Sequence, residues 1–107
     1  MSQDNLSAAQ FMSAKQLRGM RMQSVEAAIG QGRVGTKQGI TKSIMAQKVR
    51  EAKKSGLHED IRKNGVKEPV HITTNPINNE PTLADGQHRV AVAMTIDPKM
   101  KIPVKYD

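Results

Sequence analysis

The periodicity of the chain changes at Asn64-Gly65, and that change sets what it can fold into. Before it, apolar residues recur at helical intervals. Ile44, Met45, Val49 and Ala52 make one stripe of a helix that begins near Thr41 or Ser43, either of which can cap it, and ends at Ser55-Gly56. Lys42, Gln47, Arg50 and Lys53 fall elsewhere on its surface. A shorter helix is predicted over Leu57–Asn64, with Leu57 and Ile61 inward and Asn64-Gly65 as its left-handed stop. After Gly65 the period is two. Val70, Ile72 and Thr74 alternate with His71 and Thr73 in a strand opened by Pro69. Residues 75–81 read as a hairpin loop, and 82–84 resume a strand that runs into Asp85-Gly86. Residues 88–96 read as a helix whose inner face is either Val92, Ala93 and Ile96 or Val90 and Met94. Asp97-Pro98 stops it. Residues 101–106 form a last strand with Ile102, Val104 and Tyr106 on one side, and Pro103 argues for an edge position or an irregularity there. The order helix–strand–hairpin–strand–helix–strand predicts a small α+β domain with helices on one side of three or more strands.

The first forty residues are less regular. Residues 1–10 are polar and expected to fray. Good helix formers dominate 7–29, with apolar Phe11, Leu17, Met20, Val25, Ala28 and Ile29, and Gly19 weakens the middle by about 1 kcal/mol. Gly30, Gly32, Gly35 and Gly39 then punctuate a linker that lacks the Gly-Lys-Ser/Thr ending of a phosphate loop. The expected organisation is a basic, partly helical arm and Gly-rich linker over 1–40, followed by a folded domain over 41–107. Five of the seven Met lie at or before Met45, an adaptable apolar face for packing.

Charge follows the same division. Residues 1–56 hold ten Lys/Arg against Asp4, Glu26 and Glu51, while 57–107 hold seven of each sign. A net charge of +7 gathered in one half points to a polyanion partner. Lys42, Lys48, Arg50, Lys53 and Lys54 are the candidate nucleic-acid contacts. With no Cys, a disulfide scaffold, a Cys-based zinc site and a thiol nucleophile are excluded. No apolar run approaches the ~20 residues of a membrane span, and no signal peptide is visible, so no membrane partner and a cytoplasmic location are expected.

The sharpest motif is Asp85-Gly86-Gln87-His88-Arg89 at a strand-to-helix junction. Gly86 lets backbone approach a ligand, the helix start offers unpaired N–H groups, and His88 and Arg89 add donors at the same end. Gly86, Gln87, His88 and Arg89 are therefore candidate phosphate or nucleotide ligands. Asp85 is a candidate metal ligand or proton acceptor. Glu68 is a candidate second carboxylate, which with Asp85 and His88 completes a candidate catalytic set. The bland alternative makes Asp85 a helix cap and His88 and Arg89 surface residues.

The run from Asp85 to Ala93 resembles the Gly-x-x-Arg phosphate motif of the ParB/sulfiredoxin-like superfamily. Residues 60–70, where a helix ends at Gly65-Val66 and Pro69 opens the next strand, are similar to the superfamily's first box. Ile102-Pro103-Val104 matches the strand after its second helix. The resemblance is strongest over 57–107. Its Asp-Gly-x-His-Arg form is similar to ParB-like proteins of phages and mobile elements, to DGQHR-signature proteins linked to DNA modification, and to ParB-like free-serine kinases. It implies a nucleotide or phosphate at Gly86–Arg89, with a nucleoside triphosphate and Mg2+ as candidate ligands. Sulfiredoxins place a catalytic Cys in this motif, and this chain has none, so that activity is excluded. Partition ParB proteins carry a further box and a helix-turn-helix domain downstream, so site-specific partition binding and a full nucleotide-driven clamp are not expected.

Three functions follow as expectations. One is a ParB-like protein that binds phosphate or nucleotide in association with nucleic acid, with DNA nuclease activity as its catalytic form. Another is a non-enzymatic accessory protein of a phage assembly, homo-oligomeric or docked on a larger structure, in the host cytoplasm or the virion. The third is a small-substrate phosphotransferase like the serine kinases. Whether the chain is an enzyme is left open by its residues, because only Asp85 holds a position suited to catalysis.

Overall fold

The computed structural model describes residues 10–106. Residues 1–9, most of the stretch expected to fray, lie outside the described part, as does Asp107. Among the described residues five strands and five helices follow in the order β1 (Gln10–Ser13), α1 (Ala14–Arg18), β2 (Arg21–Met22), α2 (Gln23–Gly30), α3 (Lys37–Ser55), α4 (Leu57–Asn64), β3 (Val70–Thr74), β4 (Pro81–Asp85), α5 (Gln87–Ile96) and β5 (Lys101–Tyr106). The strands form one mixed sheet in the order β1-β5-β3-β4-β2. β1 runs antiparallel to β5, β5 parallel to β3, β3 antiparallel to β4, and β4 parallel to β2. The helices pack against one another over one face, giving an α+β domain only 21 Å across its shortest axis. That thickness is about two layers.

The core lies between these layers. Val70, Ile72, Leu83, Ile102 and Val104 point inward from the three central strands, and α5 meets them with Val90, Ala91 and Ala93. Both inner faces proposed for α5 are buried at Val90, Val92 and Ala93, because α1, α3 and α4 surround the side that the sheet does not cover. Val92 faces a satellite cluster with Ala52 of α3 and Ile61 of α4.

The segment before residue 41 differs from the helical arm expected there. β1 and β2 are the outer strands of the sheet, and Ala14, Leu17, Met22, Val25 and Ile40 belong to the main core. Between Gln10 and Gly30, within the stretch where good helix formers dominate, the chain forms two short helices and two short strands. Ser13 ends β1 and caps α1: its hydroxyl accepts from the Gln16 N–H at 3.1 Å while the Gln16 side chain accepts from the Ser13 N–H at 2.9 Å. Phe11, counted among the apolar set, is 54% exposed.

Two other boundaries shift. α3 starts at Lys37 rather than near Thr41, because Thr36 caps it by accepting from the Gly39 N–H at 3.0 Å. β5 is an inner strand, not the edge that Pro103 suggested. Pro103 is opposite Phe11 of β1, and pairing with β3 starts only at Val104, so the missing N–H falls where β5 is laddered on one side. Among the described residues no helix is long and apolar enough to cross a membrane.

Candidate functional site

β4 delivers Asp85 to the rim of the sheet through an irregularity. His71 is opposite Asp85 while Ile72 is opposite Leu83, so Ala84 is an extra residue in the ladder. Such a bulge re-aims the side chains beside it. Gly86 follows with φ 94° and ψ 18°, a left-handed conformation that starts α5. A Cβ there would stand 2.8 Å from Val70 Cβ and closer still to its Cγ1. The turn therefore lies directly on β3, and only glycine fits.

The first helical hydrogen bond of α5 runs from the Val90 N–H to the Gly86 carbonyl at 3.2 Å. No side chain caps the N–H groups before it, so Asp85 is not the cap that the bland alternative made it. Asp85, Gly86, His88 and Arg89 line one cleft of about 360 Å³, closed on the far side by Glu51 and Ser55 of α3 and by Leu57 of α4. Among the described residues the Asp85 carboxylate makes no hydrogen bond or ion pair.

Arg89 and His88 are each held in place. Arg89 Nη1 donates to the Pro69 carbonyl at 3.2 Å, which fixes the guanidinium beside Gly86. His88 Nε2 is 2.6 Å from Glu51 Oε1. The His88 hydrogen bond, with a smaller one from Gln47, holds the Glu51 carboxyl below the usual range. An ionised carboxylate only accepts, so Nε2 is the donor in this contact, and Nδ1 donates to an anion only in the doubly protonated imidazolium.

The side chain of Gln87 is engaged away from the cleft. It is buried, donating from Nε2 to the Leu83 carbonyl at 3.2 Å and accepting from the Ser24 hydroxyl. It braces α2 against the turn, leaving only its main-chain N–H for a ligand. Glu68 is exposed and lines a smaller cleft of about 150 Å³ that shares Leu57 and Arg89 with the main one; it is not brought to Asp85 in a common cleft. Among the described residues no group of three or more His, Asp or Glu could hold a metal ion.

The basic residues of α3 divide. Lys42, Arg50, Lys53 and Lys54 are exposed and, at 100° per residue, share a sector of about 120°. Lys48 lies on another side, half-buried in a cleft with Ser24, Asp85 and His88. It is thus a neighbour of the turn rather than part of the outer basic face.

No protein-family model, no curated protein and no solved structure matches the chain. The chemistry of the site therefore rests on its geometry. Sequence reasoning missed Glu51, Ser24 and Ser55. Glu51 is 37 positions from His88 and Ser24 is 63 from Gln87, and nothing local marks either contact.

Proposed function

We propose that the Asp85–Arg89 turn binds the phosphate of a nucleotide, and that the chain is a ParB/sulfiredoxin-like protein acting in association with nucleic acid. The observation that carries this reading is the glycine-dependent seat of Gly86 on Val70. It sets uncapped amides, an imidazole and a guanidinium around one cleft. Main-chain N–H groups and the dipole of α5 favour negative charge, and Arg89 adds a fork suited to phosphate oxygens. Asp85 is the residue placed to contact Mg2+ carried on a triphosphate, and the chemistry proposed is binding. The exposed face of Lys42, Arg50, Lys53 and Lys54 is the proposed path of a nucleic-acid backbone. A phage or mobile-element setting belongs to the same reading.

A thermal-shift screen of nucleotides with and without Mg2+, on the wild type and Arg89→Ala, tests it. A ligand at a hundredfold excess over Kd stabilises the native state by about 2.7 kcal/mol. The expected result is a shift in the wild type that Arg89→Ala loses. No shift with any nucleotide overturns the reading and leaves a basic docking module. The nucleic-acid path has its own readout. Four engaged cations give a log–log salt slope near −3.6 on duplex DNA of random sequence, and a flat response removes α3 from it.

A further inference from the structure

The largest of the clefts described is at the other end of β4, at about 670 Å³. Arg18 and Arg21 approach it from the turn between α1 and β2, Thr36, Lys37 and Thr41 from the start of α3, and Glu80 from the hairpin before β4. Its volume is that of a small-molecule site. Its three cations differ in how they are held. Arg21 donates from Nη1 to Glu80 at 2.9 Å and from Nη2 to Glu26 at 3.2 Å. Lys37 Nζ is 2.9 Å from the other oxygen of Glu26. Arg18 is half-buried at the cleft wall and has no ion pair among the described residues.

The two carboxylates are not equivalent. Glu26 sits between both cations with 28% of its side chain exposed, and Lys37 above all holds its carboxyl below the usual range. It aims Arg21 and Lys37 from beneath. Glu80 is 48% exposed and, among the described residues, its carboxylate pairs with Arg21 alone. Its backbone is fixed by the hairpin, where the Asn75 N–H donates to the Glu80 carbonyl and the Glu80 N–H to the Asn78 side chain. Its side chain can swing into solvent without disturbing that loop. When it does, Arg18, Arg21 and Lys37 line the cleft against Glu26, leaving two positive charges beside the Thr36 hydroxyl, whose proton its cap contact does not use, while Thr41 donates its own to the Lys37 carbonyl at 2.7 Å.

We propose that this cleft is a second anion site for a phosphate monoester, with Glu80 as a built-in competitor that the ligand displaces from Arg21. A monoester carries close to two negative charges at neutral pH and three acceptor oxygens, matching the charge left when Glu80 departs. A phosphodiester carries one and matches it poorly. The site does not share residues with the Asp85–Arg89 cleft and does not rest on the function proposed there.

The test uses the full chain in the Arg89→Ala background, which removes the other proposed ligand arm. Titration calorimetry with inorganic phosphate, a nucleoside monophosphate and a 5′-hydroxyl oligonucleotide is run at near-physiological salt. The monophosphate and inorganic phosphate are expected to bind, and the oligonucleotide not to compete with them. Arg18→Gln and, separately, Lys37→Gln are expected to weaken binding about tenfold or more, the scale of one charge-assisted hydrogen bond. Glu80→Gln is expected to tighten it severalfold, a gain that a merely structural Glu80 would not give. Circular dichroism melts keep folding separate from binding. Binding that is absent, insensitive to both cation variants, competed away by the oligonucleotide, or weakened by Glu80→Gln overturns the proposal. A nucleoside monophosphate that binds more tightly than phosphate, through Arg18, identifies a nucleotide as the source of the monoester.

Discussion

The two ends of β4 handle charge in opposite ways. At the Asp85 end the carboxylate has no ion-pair partner among the described residues, Arg89 is held by a neutral carbonyl, and shape is fixed by a glycine wedged against Val70. At the Glu80 end charge does the organising, with two carboxylates dividing Arg21 and Lys37 between them. The first cleft is preorganised mainly by backbone, with one ion pair between His88 and Glu51, and the second by ion pairs. Backbone preorganisation resists salt and pH but tolerates no change of side chain. Ion-pair preorganisation tolerates substitution and yields to solvent conditions.

The contrast can be broken most severely at Gly86. Gly86→Ala forces a Cβ into Val70 in a left-handed conformation and is expected to cost about 3 kcal/mol, read as a lower urea midpoint. Gly56→Ala, equally left-handed but with nothing within 4 Å of the added carbon, is expected to cost only about 1 kcal/mol. Equal losses would remove the steric seat from the account. Gln87→Ala strands the Ser24 hydroxyl and the Leu83 carbonyl and is expected to cost about 2 kcal/mol. Less than half of that would mean α2 is not braced through the turn.

The ion-paired end gives smaller effects. Glu26→Gln is expected to cost about 0.5 kcal/mol at neutral pH, with most of it screened away at high salt. Glu26 is more acidic folded than unfolded, so its contribution is fully present above the ordinary carboxylate range and is lost as pH falls through its lower folded value. The difference between wild type and Glu26→Gln should close on acidification, as seen in denaturant midpoints across an acid pH series. A difference that widens there would reverse the sign of the argument. Glu51→Gln should behave in the same direction, since the His88 bond depresses its carboxyl.

Legibility in the sequence followed the range of the interactions. The bounds of α4 and of β3 and β5 were readable, because Gly65 and the alternation of Val70 with Ile72 and of Ile102 with Val104 are local signals. β1 and β2 were not. They are four and two residues long, and they exist as strands only because β5 and β4 lie alongside. The start of α3 was misplaced because Gly39 reads as a breaker, whereas Thr36 turns its N–H into a cap contact. The turn of the site was legible because Asp85, Gly86, His88 and Arg89 are consecutive or nearly so. Its walls came from α3 and from the carbonyl of Pro69, which no spacing rule connects to it.

The pairing of β1 with β5, Gln10 opposite Val104, has a consequence for biosynthesis. During translation the earliest of the described strands to emerge is an orphan: its partner is the last of them to be made. The β3–β4 hairpin can zip as soon as residue 85 clears the ribosome, whereas the exposed edge carrying Phe11 waits for nearly the whole domain. Nascent chains stalled before residue 101 should therefore hold the hairpin while leaving their leading strand sticky and available to chaperones.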